Sequence, residues 1–294
     1  MKPTCPHCSL ESSLSDPRTR IVKTGFFRRK SDSRWVQRFR CLICKKYFSR
    51  ATSHPCYRQN KRQVNTRLFR LLCSGVSLRR SAKLLHLSRT TVARKLIFLG
   101  SQAKIELEYR NKCFPLAQTI EFDDQETFEH TKFKPLSITL AVEFKTRRIL
   151  GFEVSRMPAK GLLAHRAFKK YGPRRDERAQ GRERLFRKIK DLVHAQALIK
   201  SDQNPHYIAD VRRHFPLATH EAHPGQRGSI VGQGELKKIR HDPLFSLNHT
   251  CAMIRANMNR MFRKTWCTTK IPQSLSNHLA IYAIYHNFTL INTS

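Results

Sequence analysis

Apolar residues recur at helical spacing between residues 64 and 99 and predict three short helices in that segment. Ser74-Gly75 ends the first helix. Ser77 and Ser88 are suited to cap the second and third, because their side-chain oxygens accept hydrogen bonds from free N–H groups of a first helical turn. The positions that carry the pattern are Leu68, Leu72, Leu78, Ala82, Leu85, Val92 and Leu96. Short helices joined by tight turns are typical of a helix-turn-helix.

After residue 115 the pattern changes to runs of β-prone residues, which predict strands. We expect strands over residues 117–122, 136–144, 149–155 and 197–202, and the middle two form a hairpin. With the helical segments around them, these strands predict an α/β fold with a mixed sheet and flanking helices. An acid stands at the end of two of the strands, Asp123 after the first and Asp202 in the last.

Net charge indicates the kind of ligand. The 294 residues include 57 Lys and Arg but 21 Asp and Glu, a formal net charge of +36, whereas a small soluble domain is best kept at about 2 to 8 charges. This excess favours nucleic acid as the partner, with an anionic membrane second, and argues against an enzyme of small neutral metabolites. The sequence shows no signal-peptide stretch and no run of ~20 apolar residues, so we expect a cytoplasmic protein with no membrane partner.

The charge is unevenly distributed along the chain. Residues 1–114 hold 27 Lys and Arg and 5 Asp and Glu, and residues 115–294 hold 30 and 16. The most basic stretch, residues 166–190, contains Pro173 and two glycines and is predicted to be an exposed loop or frayed helix within a basic insertion near 160–192. Five acids nevertheless cluster within nine residues: Glu121, Asp123, Asp124, Glu126 and Glu129.

Four of the nine cysteines form two tight pairs, a spacing typical of zinc sites. Cys5 and Cys8 belong to the first CxxC turn, and Cys41 and Cys44 to the second. Each turn supplies two thiolates to one side of a tetrahedral ion, and the closed ligand set makes the zinc structural. A strand is predicted over residues 35–40. The alternative is four buried thiols without a metal, which the double spacing makes less favoured.

The third predicted helix has the composition of a DNA recognition helix. Its polar and basic residues are expected to face outward, while Val92 and Leu96 are buried. Short polar side chains near the helix N-terminus suit base edges, and cations suit phosphates. The outward residues are Arg89, Thr90, Thr91, Arg94 and Lys95. The alternative is a three-helix bundle with a solvated basic face.

Asp123 and Asp202 predict a cation site if their strands are neighbours in the sheet. Carboxylates are the ligands that Mg²⁺ prefers, and a pair of Mg²⁺ ions supports phosphodiester chemistry. An aspartate at a strand end is more often a turn cap. The acidic cluster within a chain expected to bind polyanions is what favours the functional interpretation.

These features occur in an order that resembles bacterial insertion-sequence transposases of the InsA/InsB type, over nearly the whole chain. The resemblance implies a zinc ribbon over residues 1–55, a helix-turn-helix over 60–112 and an RNase H-like catalytic domain over 115–294. The residues that carry it are the four paired cysteines, Phe122-Asp123-Asp124-Gln125, Lys200-Ser201-Asp202, and the block from Asn248 through Arg255 to Arg263-Lys264-Thr265-Trp266-Cys267.

The resemblance also implies roles for single residues. Asp123 and Asp202 match the first two metal-binding acids, and Asn248 stands where the family usually has a third acid, Glu. An Asn carbonyl can bind Mg²⁺ without adding negative charge, and helical spacing puts Asn248, Arg255 and Asn259 on one face. The alternative carboxylates are Glu221, Glu235 and Asp242. The cations expected to contact the DNA backbone are Arg255, Arg260, Arg263 and Lys264.

The resemblance therefore predicts a DNA transposase associated with the bacterial nucleoid. It would bind the inverted repeats at the ends of an element in double-stranded DNA, cleave and join strands with Mg²⁺ or Mn²⁺, and act as a homo-oligomer on DNA. Asn248 keeps open a second interpretation, a DNA-binding regulator derived from a transposase and without catalysis. A third, less favoured, is an RNase H-like nuclease or RNA-binding enzyme that needs no specific DNA ends.

Overall fold

The computed structural model describes residues 4–8, 21–30, 33–224, 242–262 and 266–291. The chain divides into two compact units, Met1–Arg67 and Leu68–Ser294.

A small antiparallel sheet dominates the N-terminal unit. Its strands, in the order β1-β2-β3, are β1 (Ile21–Arg28), β2 (Trp35–Cys41) and β3 (Tyr47–Ser49). The strand predicted over residues 35–40 is confirmed as β2. Its alternation places Phe39 on the buried side, where its ring stacks on Phe48 with the centroids 5.7 Å apart. This pair and the paired cysteines make up the core of the unit, which is very small.

Three helices begin the second unit: α1 (Asn65–Leu72, which spans the boundary between the units), α2 (Leu78–Leu84) and α3 (Arg89–Asn111). Both predicted caps are confirmed. Ser77 Oγ accepts a hydrogen bond from the Arg80 N–H at 3.2 Å, and Ser88 Oγ accepts one from the Thr91 N–H at 3.1 Å. The third helix is longer than predicted, with 23 residues. Its second half packs along the last helix, α8 (Pro272–Tyr285).

A five-stranded mixed sheet forms the centre of the second unit. The order is β6-β5-β4-β7-β8; β4, β5 and β6 pair antiparallel, while β7 is parallel to β4 and β8 is parallel to β7. The strands are β4 (Ala117–Phe128), β5 (Pro135–Glu143), β6 (Ile149–Arg156), β7 (Val193–Asp202) and β8 (Thr219–His223). The predicted hairpin is confirmed as β5 and β6, and the protein is of the mixed α/β class.

Neighbouring residues of a strand point to opposite sides of the sheet. Apolar side chains on both sides pack against helices, so both faces of the sheet are covered. Phe122 of β4 packs with Phe186 and Tyr207, whereas Leu136 and Ile138 of β5 belong to the core that α3, α7 and α8 share. The remaining helices are α4 (Leu163–Tyr171), α5 (Arg178–Ile189), α6 (Pro205–His214) and α7 (Phe245–Asn257). Within the described ranges, none of the helices is both long and apolar enough to cross a bilayer.

The prediction of an exposed loop or frayed helix over residues 166–190 is wrong. The stretch contains α4 and α5, and α5 buries Leu185, Phe186 and Ile189 completely. Their spacing puts them on one face of the helix, and the cations between them hide this pattern in the sequence. Several of those cations are neutralised locally, as Arg174 is by Glu129 at 3.0 Å.

The close approach of α3 and α8 depends on Gly100. A Cβ atom built at this position would lie 2.4 Å from Asn277 Cβ and 2.7 Å from its Cα, so the helix backbones would have to separate. We expect Gly100→Ala to destabilise the second unit by about 1–3 kcal/mol, the cost of overpacking a core, despite the higher helix propensity of Ala. Urea unfolding measures this, with the exposed Ser101→Ala as control. Equal stability of both variants would contradict the contact.

Candidate metal and nucleic-acid sites

The four paired cysteines converge in the N-terminal unit. Their sulfurs all lie within 4.8 Å of one another, and Cys5 Sγ is 3.8 Å from Cys8 Sγ and 3.7 Å from Cys44 Sγ. Sulfurs bound to one tetrahedral Zn²⁺ at about 2.3 Å stand roughly 3.8 Å apart. Cys41 comes from the end of β2, and its Sγ is 3.8 Å from Cys8 Sγ. The cluster can therefore bind a metal such as zinc.

Hydrogen bonds from a thiol and from the backbone favour the thiolate of Cys44, which is the form that binds a metal. The contact with Cys8, followed by the backbone N–H of Lys46, lowers the pKa of Cys44 to about 7. The backbone N–H of His7 points to Cys5 Sγ at 3.4 Å. His7 is exposed and lies in the turn between the first two cysteines.

Asp123 and Asp202 lie on neighbouring parallel strands. Glu121 of β4 is paired with Lys200 of β7, and each aspartate follows two residues later on its own strand. The expectation that Asp123 ends a strand is wrong, because β4 continues to Phe128 along β5. Asp202 does end β7.

The Asp123 carboxyl is only partly satisfied by the protein. Its Oδ1 accepts hydrogen bonds from the Asp124 N–H at 2.6 Å and from the Tyr207 hydroxyl at 3.1 Å. Asp202 Oδ1 accepts one from the Asn204 N–H at 3.0 Å. In the described parts of the chain, no group donates to Oδ2 of either aspartate. Burial, and then the charge of Asp202, raise the pKa of Asp123 to about 7.

Asp124 has a different environment from its neighbour. Its Oδ1 accepts a hydrogen bond from the Thr139 hydroxyl at 2.5 Å, and its Oδ2 is 3.7 Å from Arg182 Nη1. Arg182 itself is buried between Asp124 and Asp210. Because a guanidinium already neutralises Asp124, Asp123 is the better candidate for a cation ligand.

Asn248 lies in the first turn of α7, and its side chain is exposed. Its Nδ2 donates to Asp242 Oδ2 at 2.9 Å, so the two alternative third ligands are hydrogen-bonded to each other. The helix itself lies against β4, since Gln125 Nε2 donates to the Cys251 carbonyl at 3.0 Å. The charge of Asp123 also helps burial to raise the pKa of Cys251.

The other alternative carboxylates do not complete the pair. Glu221 Oε2 is 3.5 Å from His223 Nε2 on β8, and Glu235 lies outside the described residues. Among residues the structure describes, only the four cysteines bring three or more Cys, His, Asp or Glu ligand atoms within 4.8 Å of one another.

Glu121 is a functional candidate that sequence reasoning did not single out. Its side chain is fully buried, and Oε2 accepts a hydrogen bond from the Leu247 N–H at 2.7 Å. Burial raises the pKa of Glu121 to about 7, although the Leu247 hydrogen bond opposes this. Glu121 therefore fixes the first turn of α7, where Asn248 lies, to β4. The period of two along the strand, which places Glu121 on the same side as Asp123, is the signal that could have found it.

The predicted recognition helix is largely as expected, with one correction. Arg89, Thr90 and Arg94 are exposed at the start of α3, and Thr91 is half-buried. Lys95 was expected to face outward but is buried. Its position, three residues after Val92 and adjacent to Leu96, puts its stem on the side of the helix that packs inward.

The predicted helix face of Asn248, Arg255 and Asn259 is not formed. Arg255 is exposed on α7, but the helix ends at Asn257, so Asn259 and Arg260 lie in a separate 3-10 turn and Asn259 is not on the predicted face. The Arg260 Nη1 group donates to Thr269 Oγ1 at 3.0 Å. Arg263 and Lys264 lie outside the described residues.

The raised pKa of Asp123 predicts how stability depends on pH. Folded Asp123 holds its proton up to about pH 7, above its ordinary value of 3.8, so the folded state binds more protons and loses stability as pH rises between those values. In EDTA, we expect the melting temperature of Asp123→Asn to exceed that of the native protein by several degrees at about pH 8 and by less at about pH 5. Asp191→Asn is the exposed control. A constant difference across this range contradicts the assignment.

Comparison with known protein families finds no family model that matches the chain, and comparison with curated proteins finds no significant match.

Proposed function

We propose that this protein is the DNA transposase of an insertion sequence, and that it binds the terminal inverted repeats and catalyses Mg²⁺-dependent strand cleavage and strand transfer. The observation that carries the proposal is the placement of Asp123 and Asp202 on adjacent parallel strands in a chain of net charge +36. A partly buried acidic pair is costly in isolation, whereas it is suited to hold divalent cations against a polyanionic substrate.

The rest of the fold supports this proposal. A five-stranded mixed sheet with helices on both faces is what the RNase H-like part of the resemblance implies. The four-cysteine cluster beside a three-stranded sheet supports a zinc ribbon, and Ser77 and Ser88 cap the helices of the proposed helix-turn-helix. We assign DNA-end binding to the ribbon and to the exposed start of α3, and we infer a homo-oligomer on nucleoid DNA.

The residues present fit a divalent cation. The unshared Oδ2 atoms of Asp123 and Asp202 are free to ligate, and the charge of Asp202 is one of the two main causes that raise the pKa of Asp123. A bound cation would relieve this repulsion. With Asn248 as third ligand, the site would supply two negative charges and a neutral amide oxygen.

The protein's own residues would orient this chemistry. Tyr207 and the Asp124 N–H fix the Asp123 carboxylate through Oδ1, and Glu121 fixes α7. Mg²⁺ ions, when bound, would activate a nucleophile and stabilise the leaving oxygen. In the first step a water oxygen bonds to phosphorus and the bond to the 3′ oxygen breaks, which yields a 3′-OH. In the second step this hydroxyl attacks a target phosphodiester and displaces that strand's 3′ oxygen.

The test is a cleavage assay on the DNA that flanks the gene. Linear DNA carrying both flanks should be nicked at the element ends with Mg²⁺ and left intact when Mg²⁺ is omitted, and the new 3′-OH should join to a target plasmid. A DNA of the same length with scrambled ends is the control. Equal nicking of both DNAs would favour the nuclease alternative, and binding without nicking would contradict the transposase.

The regulator remains a second candidate because of Asn248, whose amide adds no negative charge and is bonded to Asp242. We expect the native protein to nick end DNA, and we expect Asn248→Glu to increase the rate at limiting Mg²⁺ by about tenfold, since an added carboxylate strengthens cation binding. Asn204→Asp, which adds the same charge at the N-cap of α6, is the control. Nicking by Asn248→Glu alone, with none by the native protein, would support the regulator.

A further inference from the structure

A basic cleft lies beside α2 and is lined by none of the acids discussed above. Its walls are α2, the segment 259–262 after α7, and the segment 266–270 before α8, and we call it the α2 cleft. Its volume is about 740 Å³, which falls within the range of about 300–1,000 Å³ typical of ligand pockets. The cleft is therefore large enough for a nucleotide-sized ligand.

Charge in the α2 cleft has one sign. In the described part of the chain, no Asp or Glu lines it. The five cations that line it are Arg79, Arg80, Lys83, Arg260 and Lys270. Cations that face each other across a cleft repel, and the low-dielectric walls strengthen the field inside. This arrangement is suited to attract an anion.

Arg260 is the deepest of these cations. Within the described residues it donates only to the Thr269 hydroxyl, and burial lowers its pKa to about 10. Among the residues that the structure describes, no Asp or Glu pairs with this half-buried guanidinium. Such an arrangement is costly, and Arg182 of α5 is by contrast paired with Asp124 and Asp210. Arg260 therefore has the environment expected of a residue that binds an anionic ligand.

His278 is a buried histidine that lines the α2 cleft. It is 2 % exposed, and its Nε2 lies 2.9 Å from the Leu72 carbonyl, an acceptor, so Nε2 carries the proton. Burial, followed by the charge of Arg260, lowers the pKa of His278 to about 4, so the ring is neutral. Nδ1 is then a buried acceptor, and no described group donates to it.

Aromatic side chains complete the cleft. Phe262 lies at its wall, in contact range of Gly75, and Trp266 is 79 % exposed beside it. Exposed rings next to cations are the elements with which proteins bind unpaired nucleotides, because bases stack on the rings and phosphates pair with the cations.

We propose that the α2 cleft binds an unpaired nucleotide of a DNA strand, with the phosphate at Arg260 and the base against Phe262 and Trp266. The site extends the proposed DNA-binding function to frayed or single-stranded DNA. It is independent of cleavage at Asp123 and Asp202, so either proposal can fail without the other.

Trp266 provides a direct readout, because the chain has only two tryptophans. In a Trp35→Phe background, fluorescence is titrated in EDTA with an oligothymidylate about 12 nucleotides long. The comparison probes are an abasic oligonucleotide of equal length, inorganic phosphate and oligoglutamate. Thymidylate should quench Trp266 and bind at least tenfold more tightly than the abasic strand. Equal binding of the abasic strand would overturn the base contact, and equal quenching by oligoglutamate would overturn the nucleic-acid assignment.

Arg260→Gln is the decisive variant, with Arg213→Gln on the exposed side of α6 as its charge-matched control. Arg260→Gln should weaken thymidylate binding at least tenfold and leave the melting temperature unchanged or raised, since it removes a half-buried charge that no described acid neutralises. The control should bind within twofold of the parent. Retained thymidylate binding by Arg260→Gln would overturn the proposal. A lowered melting temperature with retained binding would mean that Arg260 is structural.

Discussion

Asp123→Asn and Asp202→Asn are each expected to reduce Mg²⁺-dependent nicking of element ends about a thousandfold. Stabilisation of developing charge by a metal contributes several kcal/mol, and each ~1.4 kcal/mol corresponds to a factor of ten in rate. The amide matches the carboxyl in shape but removes a negative ligand. Nicking is measured on gels under single-turnover conditions, and binding to the same ends by mobility shift in buffer without Mg²⁺ and without chelator. Both variants should bind the ends as the native protein does.

Asp124→Asn separates the catalytic interpretation from a structural one. It lies next to Asp123 in the sequence, but its carboxylate contacts Thr139 and Arg182. Removing its charge leaves Arg182 with Asp210 alone, so we expect lower stability and retained nicking at a temperature where the variant is folded. Nicking by Asp123→Asn at the native rate, or its loss only in Asp124→Asn, would overturn the site.

Sequence reasoning was most successful where structure is local. The caps at Ser77 and Ser88 and the hairpin of β5 and β6 follow from residues that are close together along the chain. A side-chain oxygen that accepts a hydrogen bond three residues ahead requires no distant partner. Such features are readable from a single sequence.

The length of β4 was not readable in this way. The acids from Asp123 onward resemble a turn, yet the strand continues because β5 pairs with it from Ile120 to Phe128. That pairing, together with Arg182 against Asp124 and Lys160 against Glu126, offsets the low strand propensity of the acids. The partners lie on other elements, and their approach depends on tertiary structure.

Only part of the candidate site was predictable, because its neighbouring groups also come from other elements of the fold. Residue type and place on the strands indicated Asp123 and Asp202, but burial decided which neighbouring groups matter. Glu121 reads as one more surface acid in the sequence, and only its fully buried contact with Leu247 shows that it holds α7 against β4. Lys95 reads as a DNA contact, and its burial shows otherwise.

Removal of the metal from the four-cysteine cluster is expected to unfold the N-terminal unit and leave the second unit folded. Outside the cluster, the core that the described residues of the N-terminal unit form consists of Phe39 and Phe48, with Ile21 packed against them. Such a core is too small to offset the entropy of ordering a unit of this length, whereas zinc binding contributes about 10–16 kcal/mol in comparable peptides at neutral pH. The second unit has two separate apolar cores of its own.

Cys41→Ser should reproduce the effect of a chelator, and Cys56→Ser, in the same unit but outside the cluster, is its matched control. Metal analysis should find about one zinc per chain in the native protein and the control, and a small fraction of that in Cys41→Ser. Limited proteolysis should then cut Cys41→Ser within residues 1–67 and spare the rest. A native digestion pattern in zinc-free Cys41→Ser would mean that the unit folds without metal. Because the ribbon is assigned to DNA ends, end binding should fall in parallel with zinc content, while nucleotide binding in the α2 cleft persists.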